Sequence, residues 1–197
     1  MGAGFSVNIF DMFLGHAEAF LRFETQAVKK HAVLVFFGLM IPGALKFFFI
    51  FILAMHLLPE TVSSRKIRFL LSLPFSRSEI FIFSFLFGFS VIFFATTAGW
   101  ALFDRSSQPD FLRYFIFYSF YFGLMSLNAL RIGKVMIFPM FLLAFDLLTP
   151  FIAPGIYGFV SQYSPLYQQN QPLALLAATA VLAISFLLFV FGRREDW

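Results

Sequence analysis

Cysteine is absent from the 197-residue chain, which removes disulfide frameworks, thiolate nucleophiles and zinc–thiolate sites and leaves the redox compartment open. Charge is scarce: Asp, Glu, Lys and Arg make up 12% of residues, against roughly 25% in an ordinary soluble domain. Histidine occurs only at His16, His31 and His56, with no H-E-x-x-H or other ligand spacing, so no metal site is expected. No G-x-S-x-G elbow occurs and no pair of acids lies within an apolar run, so nothing supports an enzyme. The only Gly-Lys pair, Gly133-Lys134, is followed by Val135 rather than Ser or Thr, with Asn128 where a phosphate-binding loop would begin. No ATP-hydrolysing domain is expected in this chain.

What is abundant is apolar surface. Sixty per cent of residues are hydrophobic (60%) and 34 are phenylalanine. Such a chain is neither a soluble globule nor a solvated disordered coil. Its apolar runs lack the alternation of a membrane barrel, so the expected class is an all-α integral membrane protein. The net charge of +4 then reports topology and contact with anionic membrane lipids, not nucleic acid. Residues 1–13 have no basic n-region and carry Asp11, so no cleavable signal peptide is expected.

A helix needs about 20 apolar residues to cross a ~30 Å hydrocarbon core. Residues 80–103, 111–130, 135–153 and 173–191 meet this. Between them lie a polar turn at 104–110, a tight basic turn "RIGK" at 131–134 and an outer loop at 154–172 rich in Pro, Gly, Gln and Tyr. With the C-terminus inside, these spans put Arg65, Lys66, Arg68, Arg77, Arg131, Lys134, Arg193 and Arg194 in the cytoplasm and Arg105 and Arg113 outside, as the positive-inside rule requires.

Residues 32–58 admit two readings. One tilted helix places Lys46 near the membrane centre and sends Arg22, Lys29 and Lys30 outside. A hairpin turning at Pro42-Gly43 keeps those three inside and Lys46 at the outer turn, but its arms are only about 20 Å long. Charge favours the hairpin and length disfavours it. The hairpin, with short or partly re-entrant arms, gives about six membrane segments; the single helix gives five.

Ahead of it, residues 1–31 read as an amphipathic interfacial helix, with Phe10, Phe13, Leu14, Ala17, Leu21 and Val28 near one stripe. The alternative is a soluble helix packed on the cytoplasmic end of the bundle. Inside the apolar segments stand two polar residues, Asp146 and Asn128. A charge at Asp146 costs at least about 3 kcal/mol unless paired, protonated or hydrated. Asp146 is therefore a candidate for a translocation path or for a bond to a neighbouring helix; Asn128, beside the basic turn, reads as a helix-end hydrogen-bonding residue and a weaker path candidate. The phenylalanines fall on every face of their segments, which lipid contact and interhelix packing explain without a ligand.

The strongest local signal is "SRKIRFLLSLPFSRSEI", residues 64–80. It reads as a short basic helix, a break at Pro74, and a second helix start at which Ser76 and Glu79 form a capping box. "LLSLPFSRSEI" resembles the coupling-helix motif in membrane subunits of type-2 ABC transporters, where it follows the second span and sits in a groove of a separate ATPase. Residues 19–37 are similar to that family's basic elbow helix, and "SPLYQQNQPLALL" (164–176) to the outer segment before the last span.

The resemblance implies a permease domain over 32–197, preceded by an elbow helix over 1–31, with a coupling helix at about 62–78. It assigns Arg68, Leu71, Leu73, Pro74, Arg77 and Glu79 to ATPase coupling. It implies a cytoplasmic ABC ATPase partner that uses ATP and Mg, a second permease copy or paralogue, and a multi-pass place in the bacterial inner membrane with both termini cytoplasmic. Two other readings stay open. One is a non-transporting accessory or assembly membrane protein that binds a partner subunit through its basic cytoplasmic loop. The other is an intramembrane enzyme using Asp146.

Overall fold

The computed structural model describes residues 15, 18, 33–63, 75–103 and 108–192. Among these the chain is helical, with no strand. The elements are α1 (33–40), α2 (Leu45–His56), α3 (Leu58–Ser63), α4 (Arg77–Phe103), α5 (Phe111–Ile132), α6 (Ile137–Ile152), α7 (Pro154–Tyr163) and α8 (Gln171–Phe191). Among the described residues, four helical stretches are long and apolar enough to cross a membrane: Leu45–Ser63, Arg77–Phe103, Phe111–Ile132 and Gln171–Phe191. This is a helical membrane protein.

The set of spans differs from the one the sequence suggests. Residues 135–153 were expected to cross, yet α6 has 16 residues, about 24 Å of helix, and is short for the core. Its limits are chemical. Pro150 has no amide for the carbonyl of Asp146 one turn back, and Ala153 leaves helical geometry at φ −138°. The helix resumes at once as α7, with Pro154 at its first position, where a missing N–H costs nothing. Much of the expected outer loop 154–172 is therefore helix.

The 32–58 region reverses at Pro42-Gly43. Gly43 takes the left-handed conformation (φ 95°), and α1 lies back along α2 so closely that a Cβ on Gly38 would collide with the ring of Phe49. The second arm escapes the length objection because the helix does not stop at Leu58. Pro59 breaks it at Leu57, α3 carries it on to Ser63, and the 19 residues reach about 28 Å. At the break the Leu58 amide donates to Ser84 Oγ of α4, 3.1 Å away.

The bundle is built around α5. Phe117, Tyr118, Tyr121 and Phe122 are fully buried. Phe81 meets Phe122 and Phe186 edge-on, and Phe85 stacks on Tyr118. Small residues set the approach distances, as in other membrane bundles. A Cβ on Gly123 would stand 3.0 Å from the Cα of Leu182, so α5 and α8 meet backbone to backbone; Gly99 of α4 lies tighter still against the backbone of Met40.

Connectivity gives the bundle two ends. The turn end holds 41–44, 108–110 and 164–170. The basic end holds the close of α3, the start of α4, residues 133–136 and Gly192, and with them Arg77, Arg131 and Lys134. The amphipathic segment expected at 1–31 lies outside the described residues, apart from Gly15 and Glu18, which are helical.

Candidate functional site

At the basic end, α4 begins as the sequence predicts. The Ser76 amide donates to Glu79 Oε2 at 2.7 Å and the Glu79 amide donates to Ser76 Oγ at 3.2 Å, a reciprocal capping box. Pro74, Arg68, Leu71 and Leu73 lie outside the described residues, as does most of the coupling helix expected at 62–78; residues 62 and 63 belong to α3.

The two flanks of this segment are fastened in a matching way. Ser63, the last residue of α3, donates from Oγ to the Gly133 carbonyl at 2.8 Å. Arg77, the first residue of α4, donates from Nη1 to the Gly192 carbonyl at 2.6 Å. Gly133 and Gly192 are the C-caps of α5 and α8. Both bonds go to carbonyls that the helix itself leaves unsatisfied, and at Gly192 the donor carries the charge that a helix C-terminus favours. Ser63 and Arg77, on either side of residues 64–76, are thus each bonded to the end of a different span.

Asp146 is buried, 4% exposed, and accepts a hydrogen bond from Ser164 Oγ at 2.7 Å. Ser164 is itself held by the amides of Leu166 and Tyr167, at 3.1 and 3.2 Å. Asp146 therefore anchors the α7–α8 connection to α6. The buried Tyr121 hydroxyl, which has no hydrogen-bond partner among the described residues, and the Tyr167 phenol both lie within electrostatic reach of its carboxyl. Burial first, then Tyr157 and Asp146, push the Tyr167 phenol up from its ordinary range.

Asn128 is also buried, but its amide nitrogen donates to the carbonyls of Lys134 and Val135, at 2.5 and 3.3 Å. It closes the basic turn, the helix-end role its position suggests. Asp146 and Asn128 are not brought to one site: Asn128 serves the basic end, while Asp146 holds a connection that belongs to the turn end.

Two contributors escape sequence reasoning. Ser164 is 18 residues from Asp146, and Gly192 is 115 from Arg77. Neither spacing carries a periodic signal. Among the described residues, no group of three or more His, Asp or Glu is placed to hold a metal ion. Comparison with known proteins found no matching family, no matching curated protein and no matching solved structure.

Proposed function

We propose that the chain is the membrane permease subunit of an ATP-driven exporter of the type-2 ABC class, driven by a separate ATPase. One observation carries the reading. The charged segment between α3 and α4 is bonded at one flank to the end of α5, through Ser63, and at the other to the end of α8, through Arg77. A load on the segment reaches α3 and α4 through the chain and α5 and α8 through these two bonds. The α5–α8 pair is itself in backbone contact at Gly123. This is the linkage a coupling helix requires, and the "LLSLPFSRSEI" motif lies in and just after the segment.

In this mechanism, closure of two ATPases around ATP and Mg moves the segment as a lever. The spans tilt and open a path between two permease halves. The chain itself supplies no phosphate-binding loop. Arg68, Leu71, Leu73 and Pro74 form the docking surface, while Arg77 and Glu79 fix its exit into α4. The basic end faces the cytoplasm of a bacterial inner membrane, in keeping with its Arg and Lys content. A weakly polar bundle favours a hydrophobic or amphipathic cargo.

The test is a gentle-detergent pull-down of the tagged full chain from its native membrane, followed by an ATPase assay. An ATPase that co-purifies with the wild type and is lost with Arg68→Glu, at unchanged insertion, supports the proposal. An intact complex without ATPase overturns it and favours the accessory-subunit reading.

A further inference from the structure

Lys46 stands in the first turn of α2 and is 4% exposed. Among the described residues no carboxylate lies within ion-pair distance of it; the contact it makes is with the ring of Tyr114, whose centroid is 5.0 Å from Nζ. A buried cation without a counter-charge is costly. Here the cost is raised by position, because the start of a helix carries the positive end of its dipole.

In front of Lys46 lies a cavity of about 200 Å³. Thr96, Trp100, Gln108, Asp110 and Tyr114 line it with Lys46, between α2, α4 and the start of α5. The Thr96 hydroxyl is buried and has no hydrogen-bond partner among the described residues. Ammonium, hydroxyl, indole, amide and phenol groups can all donate hydrogen bonds, so the lining is rich in donors. Among the described residues that line it, Asp110 is the one acidic group, but it is exposed and its Oδ1 already accepts from the Arg113 amide at 3.0 Å as the N-cap of α5. The cavity lies where α4 ends and α2 and α5 begin, which is the headgroup level of a bundle whose helices cross the membrane.

We infer that this cavity binds a phosphate group, with Lys46 as its counter-charge and Thr96 as a hydroxyl donor. The inference does not depend on what drives the bundle. Two sources carry that chemistry to this level: the headgroup of an anionic phospholipid, and soluble phosphate.

The experiment uses the full chain in neutral detergent, with bound lipid read by native mass spectrometry and stability by thermal unfolding. The probes are phosphatidylglycerol, phosphatidylcholine and inorganic phosphate. A lipid source predicts retention and stabilisation by phosphatidylglycerol over phosphatidylcholine. A soluble source predicts saturable stabilisation by inorganic phosphate alone. In either case Lys46→Met weakens binding about tenfold or more, as loss of a charged hydrogen bond does, while Lys46→Arg and the opposite-end control Lys134→Gln retain it. Should Lys46→Met fail to fold, Thr96→Val is the second variant, expected to fold and to bind the same probe more weakly. Equal probe binding by wild type and a folded Lys46→Met, or stabilisation by no probe, overturns the inference.

Discussion

The guanidinium of Arg77, at the first position of α4, donates to the carbonyl of Gly192, where α8 ends, over 2.6 Å. Position 77 is therefore a joint within this chain as well as a coupling candidate. Arg77→Gln is expected to cost about 1.5–3 kcal/mol, the range for hydrogen bonds to charged groups, and Arg77→Glu more, since it brings a negative charge to the negative end of α8. Thermal unfolding in detergent reads this. An unchanged Arg77→Glu midpoint contradicts the joint; because this bond confounds any Arg77 variant, Arg68→Glu is the cleaner probe of the proposed ATPase docking.

The capping box at the start of α4 makes a graded prediction. Ser76→Ala removes the acceptor of the Glu79 amide and is expected to cost about 1 kcal/mol. Glu79→Gln keeps an oxygen for the Ser76 amide and is expected to cost less. Chemical unfolding of the two variants side by side decides the order, and the reverse order contradicts the box.

Gly123 is where α5 and α8 touch. A methyl group there meets the Leu182 backbone at 3.0 Å, and backbone does not yield as a side chain does. Gly123→Ala is expected to cost about 1–3 kcal/mol through overpacking, and Gly123→Leu to separate the helices and collapse the yield of monodisperse protein. Size-exclusion profiles of the two variants test this. A monodisperse Gly123→Leu would mean that the two helices do not need this approach.

Ser164→Ala strips Asp146 of its hydrogen-bond donor and releases the amides of Leu166 and Tyr167. The expected loss is about 1–3 kcal/mol per buried group left unsatisfied. Asp146→Asn keeps an acceptor for Ser164 and is expected to fold. Under the proposed permease role, transport that survives Asp146→Asn but fails with Ser164→Ala assigns the pair to architecture, and failure of both with folding intact supports a place for Asp146 on the proposed path.

The features legible in the sequence are those set by neighbours in the chain. Ser76 and Glu79 are three residues apart, so their box is visible in the letters. Pro42-Gly43 marks a reversal because the glycine admits positive φ, and the distribution of Lys and Arg supports the same turn. Proline misleads at two other places. Pro59 and Pro154 read as the ends of spans, yet each lies in the first turn of a helix, α3 and α7, where its missing amide is harmless. The bonds from Arg77 to Gly192 and from Ser63 to Gly133 join residues 115 and 70 positions apart. Only the folded bundle brings them together.

The broken second arm has a mechanical consequence. At Leu57 two consecutive positions lack an ordinary helical bond: the Leu58 amide goes sideways to Ser84, and Pro59 has none to give. Bending there stretches one bond to a neighbouring hydroxyl instead of unwinding a turn. The arm is two short rods on a hinge pin held by α4. Both rods rest on α5, the lower through Ser63 at the Gly133 carbonyl and the upper through Phe47 on Phe117, Phe51 on Tyr121 and Lys46 over Tyr114. A change of angle at the pin therefore leaves both rods on one support, and the start of that same support, Asp110 and Tyr114, forms a wall of the Lys46 cavity.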